Sequence, residues 1–493
     1  MSKVKIGWSQ VDITPNEKIA LAGQFYERVS DVVESRLYVT AFALESGNEQ
    51  MVICSCDLPG VAQNLNRMVK ERLEGKIPFS PDKVIISAIH THNSYVYNQV
   101  RTLPGTMDYL KTVLPEDMAY LSNTSGQVYL SPDKALVYLA DKITEAVVKA
   151  WDNRTEGFYE CAFGRAPVGM NRRACYDDGS ARMWGETNLA NFDKLEGGND
   201  SGIELMYTFD KNRKVNGVIA NIACPAQVAE QRYFISSDYW GKVRENLEKY
   251  FGRKLFVLGL CSAAGDQCPR DLIRWVDPET PVEDPNIDHL YPVERRADPS
   301  MFDVSGLKVV GKRISNEIIN VFEELDLSLM KDTGVLEHRT LNMVFPLRKV
   351  TISEYLNAKS KIDDFIANNR GKRVTYEENA RLYVYSGTID RYNIQQSVNT
   401  FIEEIHVIRF DDIAIASNPF ELFLDYGNKI RARSKAKQTF LIQLASGCGG
   451  YLPTEQAEKG SHYSAYVSSG TTGHEGGDKL VRETLQNINE MFE

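Results

Sequence analysis

The chain has 493 residues, of which 43% are hydrophobic, so it is long enough to bury a large apolar core. Its formal net charge of −10 argues against a general binder of nucleic acids or of anionic membranes. The sequence contains no run of about 18 apolar residues, which argues against an integral membrane segment. No signal peptide is recognisable and the eight cysteines suit free thiols, so we predict a cytoplasmic protein.

The first part of the chain predicts a strand–helix–strand unit. Strands are predicted at residues 3–9 and 36–56, the second as a hairpin around the turn at 46–49. Apolar residues at helical spacing predict a helix over 64–74, and the apolar run at 84–89 predicts a buried strand. This order indicates two adjacent parallel strands joined by a crossover helix.

Two histidines, His90 and His92, follow that apolar run. If the strand geometry persists, residues two apart point to the same face, so the two rings would lie side by side. They would stand at the C-terminal end of a core strand, where open α/β sheets place their chemistry. The pattern is as consistent with a metal site as with ordinary polar contacts.

The rest of the chain predicts alternating strands and helices. The tyrosine-rich stretch at 95–130 is typical of a functional loop or lid, and 272–302 of a surface excursion. Helices are predicted at 133–151, 239–251, 306–325, 353–367, 376–392 and 420–430, and strands at 158–163, 203–222, 255–260, 400–410, 413–416 and 439–444. No composition break divides the chain, so we predict one α/β domain over 1–493, with a helical insertion or subdomain at about 345–395.

Several short segments resemble, in their order, the neutral/alkaline non-lysosomal ceramidase family. They are V-D-I-T-P at 11–15, I-H-T-H at 89–92, N-R at 171–172, S-S-D at 236–238, G-D-Q-C-P at 265–269, N-P-F-E-L-F at 418–423 and G-Y-L-P-T-E at 450–455. Together they span nearly the whole chain and resemble the zinc-dependent catalytic domain of that family. The resemblance implies a ceramidase-like layered sheet core flanked by helices, here expected without the family's immunoglobulin-like C-terminal domain.

The resemblance also implies one zinc ion held by two histidines, a glutamate and a tyrosine. His90, Glu421 and Tyr451 match three of these ligands. Cys224, in the segment A-C-P, stands where the family has its second ligand histidine, and a thiolate is a competent zinc ligand. We therefore predict His90, Cys224, Glu421 and Tyr451 as the metal ligands. The alternatives are a buried structural thiol for Cys224, a core tyrosine for Tyr451 and a helix-start carboxylate for Glu421.

The chemistry that the resemblance implies is attack on a carbonyl by water whose pKa zinc lowers to about 7. In that scheme His92 moves the proton, and Arg172 and Tyr463 stabilise the developing oxyanion. Cys268 replaces a serine of the family, and its role stays open. His474 is interpreted either as a loop contact or as a replacement metal ligand.

These residues predict a zinc-dependent hydrolase that acts on an amide or related bond of a small polar substrate rather than on ceramide. We expect neither an export signal nor the family's C-terminal domain, and this expectation motivates the change of substrate; the tyrosine-rich loops suit a sugar derivative. Two alternatives remain: a carbohydrate-active hydrolase on the same scaffold, and a non-catalytic relative that binds a small molecule. The sequence does not determine the oligomeric state.

Overall fold

The computed structural model of the protein describes residues 2–99, 108–276, 296–297 and 304–493. Most of the predicted surface excursion at 272–302 therefore lies outside the described residues. Within them the fold is mixed α/β, with 25 strands and ten α-helices. None of the described helices combines the length and the apolar character that crossing a membrane would need.

The strands are numbered in chain order. They are β1 (Ser2–Asp12), β2 (Ile19–Leu21), β3 (Arg28–Ser30), β4 (Tyr38–Ser46), β5 (Glu49–Cys56), β6 (Val84–Ala88), β7 (Thr155–Glu156), β8 (Phe158–Arg165), β9 (Met170–Asn171), β10 (Arg173–Tyr176), β11 (Ala181–Met183), β12 (Phe192–Leu195), β13 (Gly202–Phe209), β14 (Val215–Ile222), β15 (Phe256–Cys261), β16 (Gln267–Cys268), β17 (Trp275–Val276), β18 (Arg296–Ala297), β19 (Thr333–Gly334), β20 (Leu336–Pro346), β21 (Thr400–Phe410), β22 (Ile413–Ser417), β23 (Phe420–Leu422), β24 (Gln438–Ile442) and β25 (Gly450–Leu452).

The helices alternate with these strands along much of the chain. They are α1 (Gln63–Leu73), α2 (Asp108–Val113), α3 (Pro132–Asp152), α4 (Tyr239–Phe251), α5 (Val304–Glu323), α6 (Ile352–Asn368), α7 (Tyr376–Ile394), α8 (Leu424–Arg433), α9 (Glu455–Gly460) and α10 (His474–Met491).

Three sheets carry the fold. The first has the order β19-β1-β4-β5-β6, with β7 also paired to β1; the second is β15-β14-β13-β8 and the third is β20-β21-β22-β24. The strands β5 and β6 are paired in parallel, and α1 connects them in the sequence, which confirms the predicted crossover unit. The pairs β14–β15 and β22–β24 are also parallel. Each sheet therefore brings the C-terminal ends of parallel strands to one edge, and the candidate site lies at such ends.

The three sheets share one apolar core. Its buried side chains include Ile6, Trp8, Phe42 and Ile53 from the first sheet, Met206, Ile219 and Leu258 from the second, and Phe410, Ile415 and Phe440 from the third. Strand side chains alternate between the two faces of a sheet, so apolar side chains on the face away from the shared core must be buried by other elements. Helices α1 and α3 pack on the first sheet, α4 and α5 on the second, and α8 and α10 on the third. This is the predicted layered sheet core flanked by helices.

Helices α6 and α7 form a unit with its own small apolar cluster. Ala358 and Ile362 of α6 pack with Leu382 and Ile389 of α7, and Leu110 of α2 joins them. Both helices begin with a capping box, in which a threonine side chain and a glutamate satisfy the first backbone N–H groups. We retain as a proposal that this unit is an insertion in a single catalytic domain.

The prediction of a helix over 420–430 is wrong for residues 420–423. Phe420–Leu422 form the strand β23, and α8 begins only at Leu424. The strand forms because Glu421 and Leu422 pair in register with Tyr451 and Leu452 of β25. A pairing partner about 30 residues away cannot be recognised from local helical spacing.

A half-buried ion pair joins α1 to the third sheet. The Glu404 carboxylate contacts Lys70, and it accepts a hydrogen bond from His406 Nε2 at 2.9 Å. Burial alone would raise the pKa of Glu404, but His406 and Lys70 outweigh it and lower that pKa from 4.5 to about 2. The ionised pair therefore stabilises the fold above about pH 4.5, and its contribution is lost as the pH falls towards 2.

Replacing Glu404 by Gln is expected to lower the free energy of unfolding at pH 7 by about 3 kcal/mol, because the substitution removes that contribution. The difference from the wild type should shrink at pH 3, because Glu404 of the unfolded wild type is then protonated and ionising it in the folded state no longer contributes in full. Urea denaturation of both proteins at the two pH values measures this. An equal difference at pH 7 and pH 3 would contradict the assigned ion pair.

Candidate functional site

The two histidines meet, but not through strand geometry. Strand β6 ends at Ala88, and the chain turns at His90, whose φ is +69°. A left-handed backbone costs a non-glycine residue about 1–2 kcal/mol, and such strain is concentrated at functional sites. The Nε2 atoms of His90 and His92 lie 3.3 Å apart. The prediction that the rings lie together is confirmed, whereas the predicted cause, a continued strand, is wrong because the turn brings the rings together.

Backbone carbonyls fix the tautomer of His90. Its amide donates to Leu58 O at 3.0 Å, and its ring Nδ1 contacts Pro59 O. Since a carbonyl oxygen only accepts, Nδ1 carries the proton in the neutral ring and Nε2 keeps its lone pair. That lone pair faces Glu421, whose Oε2 lies 3.4 Å from His90 Nε2.

Glu421 reaches His90 from the two-stranded sheet β23–β25. The parallel register of this sheet places Glu421 directly beside Tyr451. Gly265 packs on the backbone of Glu421, where an added Cβ would stand 2.2 Å from the Glu421 carbonyl oxygen. Burial alone would raise the pKa of Glu421, but His90 and Arg172 outweigh it and hold this pKa below its ordinary value. The carboxylate is therefore ionised at neutral pH.

Arg172 adds a buried cation to the cluster that His90, His92, Glu421 and Tyr451 form. Its guanidinium donates to Gly265 O at 3.0 Å, to Gln227 Oε1 at 3.2 Å and to the Tyr451 hydroxyl at 3.4 Å. Burial alone would lower the pKa of Arg172, but its neighbours, Tyr451 first among them, raise it above the ordinary value. The Tyr451 hydroxyl in turn lies 3.5 Å from that of Tyr463. Burial and the nearby carboxylate raise the pKa of Tyr463 to about 12, so this phenol is a neutral donor.

His92 has two polar partners that the sequence did not reveal. Its Nδ1 lies 3.0 Å from Glu230 Oε2, an ion-pair contact without the alignment of a hydrogen bond. Its Nε2 lies 2.8 Å from the side-chain nitrogen of Gln227. Burial is the main cause that lowers the pKa of His92, while Glu230 opposes it. Both partners follow Pro225 in an irregular segment, and no motif spacing marks them.

Cys224 is the predicted ligand whose side-chain contacts are with backbone carbonyls. Its thiol donates to Val168 O at 3.3 Å and also approaches Pro225 O, at 3.6 Å. Only 1% of the residue is exposed, and burial raises the pKa of the thiol well above its ordinary value. A neutral thiol aimed at backbone carbonyls behaves as a packing residue of the second-sheet core.

Cys268 and His474, to which the sequence assigned no single role, make contacts in different parts of the structure. The Cys268 thiol donates to Arg270 O at 3.2 Å, and burial raises its pKa to about 12. His474 begins α10, where its Nδ1 pairs with Glu458 at 2.8 Å beside a cavity that Arg348 also lines. This placement supports the interpretation of His474 as a loop contact.

No group of three or more His, Cys, Asp or Glu side chains in the described part of the chain is arranged to hold a metal ion. His90 and Glu421 contact each other in the cluster. The oxygen donor beside them belongs to Tyr451, which is not one of these four residue types. The four-residue ligand set with Cys224 stays a prediction.

Solved structures of ceramidases share the architecture of this protein. One is described as a ceramidase complexed with C2, with a TM-score of 0.66 and 14% sequence identity. Another is the neutral ceramidase from Pseudomonas aeruginosa, with a TM-score of 0.64 and 15% identity. Each match covers 98% of this chain and 74% of the other. No family model and no curated protein matches the sequence.

The fold is ceramidase-like. The fold expected from the ordered segments is thus confirmed. At 14–15% identity the similarity concerns the fold, so the reaction has to be argued from the residues of this chain.

Replacing Cys224 by Ser is expected to leave any zinc content of the purified protein unchanged, because the thiol donates to a backbone carbonyl and burial keeps it neutral. The hydroxyl can still donate to Val168 O, so the free energy of unfolding should fall by only about 1–2 kcal/mol. Elemental analysis and thermal unfolding check both points, with Glu421→Gln as the comparison that should lose metal. A loss of zinc in the Cys224→Ser protein would show that Cys224 is a ligand.

Proposed function

We propose that the protein is a hydrolase that cleaves an amide or related bond of a small polar substrate. One observation carries the proposal. The Nε2 of His92, a histidine beside the carboxylate of Glu230, lies in the same cluster as the buried donor Arg172 and the half-buried donor Tyr463. A base beside donors for a developing oxyanion is the arrangement that acyl transfer to water requires.

Zinc is part of this proposal, with His90, Glu421 and Tyr451 as the residues that would hold it. Two donors bound at about 2.0–2.2 Å to a tetrahedral ion lie about 3.4 Å apart. The observed separation of His90 Nε2 and Glu421 Oε2 is 3.4 Å, and Tyr451 is the register partner of Glu421. Three protein ligands with an open fourth position are typical of catalytic rather than structural zinc. Cys224 is not needed to complete such a site.

A zinc ion held there would supply a bound water of lowered pKa. His92 would take the proton of the attacking water on Nε2 and give it to the leaving nitrogen. Arg172 and Tyr463 would donate hydrogen bonds to the oxygen of the carbonyl as its negative charge develops. The surrounding burial strengthens these interactions, because the local dielectric constant is low.

A sugar-derived substrate is supported by aromatic side chains near the cluster. Phe25 is 51% exposed, and its ring lies 5.4 Å from that of Tyr463. Trp184 lies beside the guanidinium of Arg172, at 5.6 Å. Exposed aromatic rings provide flat faces for sugar rings, so we propose an N-acylated sugar or a similar small amide as the substrate class.

Glycosidic bond cleavage is the second candidate. Glu230 and Glu421 are two half-buried carboxylates that contact the two histidines of the cluster, and paired carboxylates carry out glycoside hydrolysis. A panel of N-acylated amino sugars, N-acyl amino acids, nitrophenyl glycosides and short-chain ceramide separates the candidates by the product released. Binding of panel compounds without turnover would identify a non-catalytic relative.

We expect about one zinc ion per chain in the wild-type protein. His90→Ala and Glu421→Gln should each reduce the zinc content at least about tenfold, because each removes one of three protein ligands. Chelation should abolish hydrolysis, and added zinc should restore it. Full zinc occupancy in both variants would contradict the ligand assignment while leaving the hydrolase proposal open to the panel.

His92→Ala is expected to lower kcat by about 100-fold or more, the usual contribution of a general acid–base group. His474→Ala serves as the matched control and should keep kcat within about twofold, because His474 lies outside the cluster. Initial rates on the best panel substrate provide the measurement. Similar rates for the His92→Ala protein and the wild type would remove His92 from the mechanism.

A further inference from the structure

The segment that carries Glu230 is tied to the segment that carries His92 by one buried arginine. Arg28, on β3, is fully buried. One of its terminal nitrogens donates to Glu230 O at 2.6 Å and to Arg232 O at 2.8 Å. The other donates to His92 O at 2.6 Å and to Ala22 O at 2.5 Å. The fork of the guanidinium therefore fixes the distance between the two backbone segments.

The hairpin β2–β3 also touches the His92 ring itself. Gly23, with φ +97°, lies so close that an added Cβ would stand 2.2 Å from His92 Cγ. A second contact from this hairpin, Gln24 to Glu230 O at 3.2 Å, repeats the link that Arg28 makes. The ring is therefore held on one side by the hairpin and on another by the Glu230 carboxylate.

Gln227 indicates which nitrogen of His92 carries the proton. Its Oε1 accepts from Arg172, so its side-chain nitrogen is the atom beside His92 Nε2. An amide nitrogen only donates, so His92 Nε2 is the acceptor and the ring proton lies on Nδ1. Nδ1 faces Glu230, and a carboxylate favours a proton on the nearer ring nitrogen.

We infer that Glu230 and Arg28 are positioning residues of His92, which keep its proton on Nδ1 and leave its lone pair on Nε2, the atom that accepts from Gln227 and is the proposed base. The inference rests on the proposed hydrolase function and adds residues to it that neither the sequence motifs nor the fold similarity indicates. Glu230 acts through its charge next to Nδ1 of His92. Arg28 acts by holding the backbone carbonyls of Glu230 and His92. Neither residue is required to touch the substrate.

A second buried histidine–carboxylate pair provides a matched control. Glu404 and His406 lie 2.9 Å apart on β21, the His406 ring is fully buried, and Lys70 of α1 contacts the same carboxylate. Glu404→Gln removes the same kind of charge from the same kind of pair. It should lower stability without changing kcat, so it separates a general loss of stability from a loss of positioning.

The experiment compares Glu230→Gln, Glu230→Asp and Glu404→Gln. Glu230→Gln is expected to lower kcat by about 100-fold or more with KM within about threefold, because it removes the charge that orients His92. Glu230→Asp keeps the charge and should recover kcat to within about tenfold of the wild type. Equal kcat for Glu230→Gln and the wild type, with His92→Ala inactive, would overturn the inference and leave the proposed function standing.

Nitrogen NMR of the histidine-labelled protein provides a readout that needs no turnover. The wild type should show a protonated Nδ1 and an unprotonated Nε2 for His92, assigned by loss of the signals in His92→Ala. Glu230→Gln should shift the population towards the other tautomer, and Glu404→Gln should not. An unchanged tautomer in Glu230→Gln would overturn the inference even if no panel substrate is hydrolysed.

Discussion

Packing of the three sheets on one shared core is the constraint on which the rest of the structure depends. Trp8, Phe42 and Phe440, from two of those sheets, lie fully or almost fully buried in this core. Burying each such side chain contributes about 1.5–3 kcal/mol, so the relative positions of the sheets are strongly determined. Because the sheets cannot slide, the ends of their parallel strands meet at fixed distances. The site is assembled from the segments that leave those ends.

Polar contacts between these segments then set the site at the scale of single atoms. Gly265 lies against the backbone of Glu421, and an added Cβ there would stand 2.2 Å from the Glu421 carbonyl oxygen. Arg28 ties the segment of His92 to that of Glu230 through four backbone carbonyls. The close approach of Gly265 fixes a backbone position, and the hydrogen bonds of Arg28 satisfy buried carbonyls that would otherwise cost free energy. The chemistry of the site thus depends on residues that do not belong to any recognisable motif.

The charges of the cluster compensate one another. Glu230 and Glu421 supply two carboxylates, and Arg28 and Arg172 supply two buried guanidinium groups, with the His90–His92 pair between them. Burial would otherwise neutralise the carboxylates, yet their pKa values stay below the ordinary value because the cations and histidines outweigh burial. Cys224 has no such partner, and burial keeps its thiol neutral. Burial therefore coexists with ionised carboxylates at Glu230 and Glu421, whereas at Cys224 it leaves a neutral thiol.

The sequence by itself determined the fold class, the β5–α1–β6 crossover and the meeting of His90, His92, Glu421 and Tyr451 in one region, because periodicity and ordered motifs are local and survive divergence. Tertiary structure alone decided three things. It placed Glu421 on a strand rather than a helix, since a distant partner strand overrides local helical spacing. It turned Cys224 towards Val168, since side-chain direction depends on neighbours that no spacing specifies. It brought Glu230 to His92, because that contact spans 138 positions and is created only when the sheets pack.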